Sequence, residues 1–230
     1  MDNGLTTASI AIRDRVRDDI VAGTLSFGSR LTLELLARRY SVGHMPVREA
    51  LRQLEGEGLV VLTPNRGARV RAADVDFARN IFDLRIAIEG MLARRAAERI
   101  GDADIARLQS IEARYEAQSR KRDFDALLAL NREFHDVIND AAANPEAANV
   151  LERHWHVVAA LWNRYGYGEK RIAGVISDHR QMIEALIAHD AEVAACLATA
   201  HAAKAKQALI ARMLASQSLP AAAEAPGRTR

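Results

Sequence analysis

Four side chains stand out for the chemistry their types and spacing allow. Asn131 and His135 lie four residues apart in LNREFHDVIND, so on a helix they project from one face. His179 and His201 sit in two later stretches with helical patterning. If these segments converge, three imidazoles and one amide oxygen make a set that can hold a divalent metal. The plain alternative is a hydrogen-bonded polar pocket that takes a ligand without metal. The other histidines of the second half, His154, His156 and His189, read as surface or packing residues. A second group lies near the N-terminus, where His44, Met45, Arg48 and Arg52 occur within nine residues, followed by Arg66 beside Gly67. Arginines in this number suit phosphates and base edges. A small residue beside an arginine allows close approach to a minor groove or a phosphate. For any one of them, an ordinary solvated charge is the competing explanation. Arg85 stands four residues before Glu89, the spacing of a helical salt bridge.

These groups must be positioned by helices. The 230-residue chain is 49% hydrophobic but only 5% aromatic, and Gly and Pro are sparse, which excludes disordered and collagen-like classes and disfavours a loop-rich β-sandwich. One cysteine, Cys196, excludes an internal disulfide framework and a Cys-rich zinc cluster. No stretch approaches the roughly 20 apolar residues of a membrane helix, and the N-terminus lacks a secretory apolar core. The expectation is a soluble cytoplasmic protein that makes no use of a membrane. Residues 1–71 carry 11 Lys/Arg against 8 Asp/Glu, a net positive charge of the sign a phosphate-binding segment needs, whereas the whole chain is only +2.

Up to residue 71 the elements are short. Thr7 is placed to cap a helix running to about Ala22, with Ile12, Val16 and Ile20 as its apolar stripe, and Gly23 to end it. Residues 24–30 read as a connector. Thr32 caps a second helix facing Leu33, Leu36, Ala37 and Tyr40 inward. After the turn Ser41-Val42-Gly43, a third helix starts near His44 and buries Val47, Ala50, Leu51 and Leu54 until GEG at 56–58 stops it. Residues 59–62 and 68–71 read as two strands about the turn TPNRG. Three helices and a hairpin make a winged helix-turn-helix, whose third helix fits a DNA major groove. From 74 to about 215, six helical stretches follow, at 74–99, 102–120, 123–142, 145–165, 169–188 and 190–215. The expected fold is therefore mainly α, with a winged helix-turn-helix over 7–71, an antiparallel bundle of six to seven helices over 74–216 and a disordered tail over 218–230.

The run RLTLELLARRYSVGHMPVREALRQLEGEGLVVLTPNRGARV resembles the DNA-binding domain of GntR-superfamily transcription regulators. PVREALRQLEGEGLV followed by a Gly-containing wing is the signature of the FadR-like branch, and DLRIAIEG at 83–90 is similar to the opening helix of its FCD effector domain. The resemblance covers residues 7–215. Arg48, Arg52, Arg66 and Gly67 match the family pattern. Gly43, His44 and Met45 replace its usual Ser, Arg and Thr, so base preference does not carry over. FCD domains of this kind bind zinc, nickel or manganese through a D-x3-H pair and two later histidines. His135, His179 and His201 match, while Asn131 stands where Asp is usual, which removes a charge and lowers the expected affinity. An arginine at the place of Arg85 faces the effector cavity in such regulators, where a guanidinium clamps a carboxylate. Trp162, Tyr165 and Tyr167 either wall that cavity or pack in the core.

The resemblance implies a homodimeric repressor that binds a palindromic double-stranded operator and responds to a small organic acid. Alternatives are a pure metal sensor and, less supported, a metal-dependent enzyme on the bundle. No nucleophile motif such as G-x-S-x-G is present, and no catalytic residue is assigned.

Overall fold

The computed structural model describes the backbone over residues 3–63 and 67–218, with side chains over 7–63 and 67–217. The first part runs α1 (Asn3–Val21), β1 (Arg30–Leu31), α2 (Leu33–Tyr40), α3 (His44–Gly56), β2 (Val60–Thr63) and β3 (Gly67–Val70). Six longer helices follow: α4 (Val75–Ala97), α5 (Asp102–Lys121), α6 (Phe124–Ala141), α7 (Pro145–Tyr165), α8 (Glu169–Ile187) and α9 (Ala191–Ser218). The mainly helical class with a small wing is the one expected. The turn carrying Arg66 and the tail from residue 219 onward lie outside the described residues.

Local chemistry sets most boundaries. Thr32 Oγ1 accepts from Leu35 N at 3.1 Å and starts α2, and Ser41 ends it in the left-handed region at φ 56°. Asp74, Asp123 and Asn144 cap α4, α6 and α7 in the same way, with Pro145 in the first turn of α7. Two expectations need correction. α1 starts at Asn3, so Thr7 lies inside it rather than at its cap. The connector over 24–30 ends in β1, which pairs with β3 (Arg30↔Arg69, Leu31↔Ala68), giving a three-stranded antiparallel sheet in the order β1-β3-β2. Two residues are too few for an alternation to show in sequence.

In the winged head, Ile12, Val16 and Ile20 of α1 pack on Leu36, Tyr40, Val47, Ala50, Leu51 and Leu54. A guanidinium fork ties the head together: Arg17 Nε and Nη2 donate to Glu57 Oε2 and Oε1 at 2.9 and 2.5 Å, joining α1 to the end of α3. In the bundle, α4 lies along alanine-rich α9. Gly90 permits this approach, because a Cβ there would run into Thr199 Oγ1. The two parts meet where α1 ends against α7. Asn163 Nδ2 donates to Val21 O at 3.3 Å, and the Arg164 guanidinium lies over the Phe27 ring at 5.8 Å.

Candidate functional site

α3 separates its side chains by face. Val47, Ala50, Leu51 and Leu54 are buried, while His44, Met45, Arg48 and Arg52 are exposed, Met45 at 62%. Arg52 Nη1 is only loosely held, 3.8 Å from Glu49 Oε2, and Arg48 has no ion-pair partner among the described residues. Gly67 takes φ +84° where β3 begins, and a Cβ there would come within 3.3 Å of Leu31 O. The wing backbone itself therefore demands glycine. Arg66 lies outside the described residues.

The bundle brings the three expected histidines together. α6, α8 and α9 deliver His135, His179 and His201, all buried, with ligand atoms within 4.8 Å of one another. His135 Nε2 lies 3.3 Å from His201 Nε2. Each of the other two rings is aimed by a carboxylate. His179 Nδ1 meets Glu112 Oε2 at 2.8 Å and His201 Nδ1 meets Asp178 Oδ2 at 3.2 Å. Asp178 is ionised and can only accept, so His201 Nδ1 carries the proton and its Nε2 keeps the lone pair; the ionised form of Glu112 sets the same tautomer on His179. Phe134 stacks on His179 with ring centroids 3.8 Å apart and fixes its plane.

The electrostatics agree. Burial, helped by the Arg171 charge, pushes His179 down to about 3. Burial outweighs the Asp178 hydrogen bond and takes His201 to about 3 as well, and burial holds His135 well below its usual value. All three are neutral at pH 7, the form that ligates metal. Burial pushes the Glu112 carboxyl up to about 7, with the Glu116 charge adding to it. Burial would raise Asp178 too, but hydrogen bonds from His201 and Lys204 (2.5 Å) hold it below the usual carboxylate range. Buried acceptors without a hydrogen-bond partner in the described structure include His179 Nε2 and Asn131 Oδ1. Asn131 lines the same cavity as His135 and His201. Neutral imidazoles with oriented lone pairs and an orphaned amide oxygen fit a divalent cation.

That cavity is also lined by Arg85, Glu89, Trp155, Trp162, Tyr167 and Arg171. A second cavity shares Arg85, Glu89, His135 and Trp155 with it and adds Arg132 and Asp136. Arg85 makes the helical pair its spacing predicts, with Nη2 2.6 Å from Glu89 Oε1. The contact is off the line a hydrogen bond requires, so Arg85 Nε and Glu89 Oε1 are left without hydrogen bonds. Trp162 and Tyr167 pack edge to face at 4.5 Å in the cavity wall, whereas Tyr165 is half-buried beside the core.

Two family descriptions match the chain: "Bacterial regulatory proteins, gntR family" over residues 9–70, and "FCD domain" over residues 80–204. The chain belongs to the GntR family and carries an FCD domain. Among relatives of this GntR regulator, the HTH-type transcriptional repressor GlaR of Escherichia coli (strain K12) is 27% identical, over 81% of this chain and 88% of its own length. The uncharacterized HTH-type transcriptional regulator BphR of Paraburkholderia xenovorans (strain LB400) is 31% identical, over 77% of this chain and 75% of its own. Escherichia coli McbR/YncC shares the fold, with a TM-score of 0.74 at 21% identity over 92% of this chain and 99% of that one. The matched families and relatives are transcription regulators rather than enzymes, so the metal-dependent enzyme reading falls. Among the described residues no helix is long and apolar enough to cross a membrane.

Sequence reasoning about this GntR regulator missed the supports of its triad. Glu112, Asp178, Arg171 and Lys204 were not singled out. A faint signal existed. Glu112 falls among buried Leu108, Ile111 and Tyr115, and Arg171 and Asp178 fall on the buried stripe with Val175 and Met182. A charged residue on an apolar helix face needs a partner inside the protein.

Proposed function

We propose that this GntR regulator is a repressor that binds a two-fold symmetric operator as a homodimer in the cytoplasm and responds to a small organic acid. The head over 7–71 reads DNA with the exposed face of α3, His44, Met45, Arg48 and Arg52, and with Arg66 and Gly67 of the wing. The bundle over 74–216 binds the acid and dimerises. His135, His179, His201 and Asn131 would hold a divalent metal, zinc, nickel or manganese, which supplies a Lewis-acid anchor for the acid's oxygens. Arg85 lines the cavity beside this set and offers hydrogen bonds to a carboxylate. Acid binding changes operator affinity by favouring one placement of the two heads.

The observation that carries this reading is the buried histidine triad, with two of its rings aimed by carboxylates and two of its members, His135 and His201, lining a cavity with Arg85 and Arg171. The test uses labelled DNA from beside the protein's own gene, at about 150 mM salt with excess unrelated competitor, where purely electrostatic binding fades. Sequence-dependent binding released by small carboxylates, together with bound metal that His135→Ala abolishes, is the expected result. Full metal content in His135→Ala overturns the ligand set. Operator binding indifferent to every carboxylate tried overturns the effector class.

A further inference from the structure

Arg171 stands where nothing in the triad requires it. Its side chain is 6% exposed, its Nη2 lies 3.4 Å from His201 Nε2 and 3.4 Å from His201 O, and its Nη1 lies 3.5 Å from Asp178 Oδ2. Nε is buried without a hydrogen-bond partner. The Asp178 carboxylate, the anion nearest to it, is already engaged by Lys204 Nζ at 2.5 Å and by His201 Nδ1 at 3.2 Å. The His201 ring is neutral with its proton on Nδ1, so Nε2 has a single lone pair. The Arg171 guanidinium lies 3.4 Å from that lone pair as a donor, and His135 Nε2 lies 3.3 Å from the same nitrogen. A neutral imidazole vacates such a place by moving its proton to the other nitrogen. A guanidinium cannot, because it keeps its charge at any physiological pH.

We propose that Arg171 is a built-in competitor for the divalent cation at the triad, capping His201 Nε2 and opposing metal entry by its own charge. The inference rests on the metal reading given above and concerns the regulation of that same site. Two consequences follow from the geometry. Metal alone is held more weakly than three buried histidines would otherwise hold it, a deficit that adds to the missing charge at Asn131. The guanidinium is also the group an acidic ligand would draw to itself, since its own carboxylate partner is shared with two other cationic or donor groups.

The test is a Zn²⁺ titration of the metal-stripped full chain against a chromophoric indicator. Arg171→Gln and Arg171→Met remove the charge, and Arg171→Lys keeps it. Asp178 retains Lys204 and His201 in every variant, and the two charge-free replacements guard against one of them folding badly. Both charge-free variants should bind Zn²⁺ about tenfold tighter or more, with Arg171→Lys within about threefold of the parent. His135→Ala added to Arg171→Gln should abolish the gain. Equal or weaker Zn²⁺ binding by the charge-free variants overturns the competitor role while leaving the metal site standing. Failure of parent and variants alike to bind Zn²⁺ in a His135-dependent way overturns both.

Discussion

The winged head and the helical bundle place their candidate site residues in opposite environments. Arg48, Arg52, His44 and Met45 stand exposed on one face of a single helix and need only that helix to be presented. His135, His179 and His201 are buried and come from three helices, and His179 and His201 depend on Glu112 of α5 and Asp178 of α8 to be oriented. The difference fits the ligands proposed for the two regions. DNA is a large polyanion that meets a surface, and its phosphates are attracted over distance. A small acid or a metal ion offers few contacts, so its site must exclude water and be built in advance. The head can thus alter its base-reading residues at little structural cost, while nearly every residue of the bundle site is also part of the bundle's core.

Substitutions sharpen that contrast. Phe134 is fully buried and stacks on His179, so Phe134→Ala should cost about 3–5 kcal/mol of stability in chemical denaturation. A much smaller cost would break the claim that site and core are one. Arg48→Ala should weaken operator binding by about 1–3 kcal/mol in fluorescence anisotropy and leave stability and metal content unchanged. Glu112→Gln removes the carboxyl that aims His179, and should lower metal affinity roughly tenfold to a hundredfold without altering DNA affinity in the metal-free protein. A shift in DNA affinity of the metal-free variant would show that the two regions are less separate than the geometry indicates. Smallest of all, Glu34→Ala breaks the pair with Arg38 on α2, whose side chains are 76% and 77% exposed. It should change stability by less than about 0.5 kcal/mol.

What was legible in the sequence divides along the same line. The six bundle helices end within a few residues of their expected positions because Asp74, Asp123, Asn144-Pro145 and the GYGEK break act locally. The turn Ser41-Val42-Gly43 and the inner face of α3 are equally local. β1 escaped because its two residues gain their strand character from β3, almost forty positions away. The convergence of His135, His179 and His201 was an inference from family resemblance, since spacing shows only that Asn131 and His135 share a face. Glu112 and Asp178 stayed hidden for a further reason. Each supports a histidine on another helix, so no sequence interval joins donor to acceptor. Asp178 is next to His179 in the chain, yet it supports His201.

Trp162 lines the cavity and Asn163, its neighbour, holds the last carbonyl of α1. One helical residue is about 1.5 Å of rise and about 100° of turn. α7 therefore joins two features like an axle, with the histidine-lined cavity on one side and the mounting of the head on the other. A ligand that rolls α7 by even a few degrees turns the mounting by the same angle. In the proposed homodimer, two heads meeting successive major grooves about one helical turn of DNA apart would tolerate little of it.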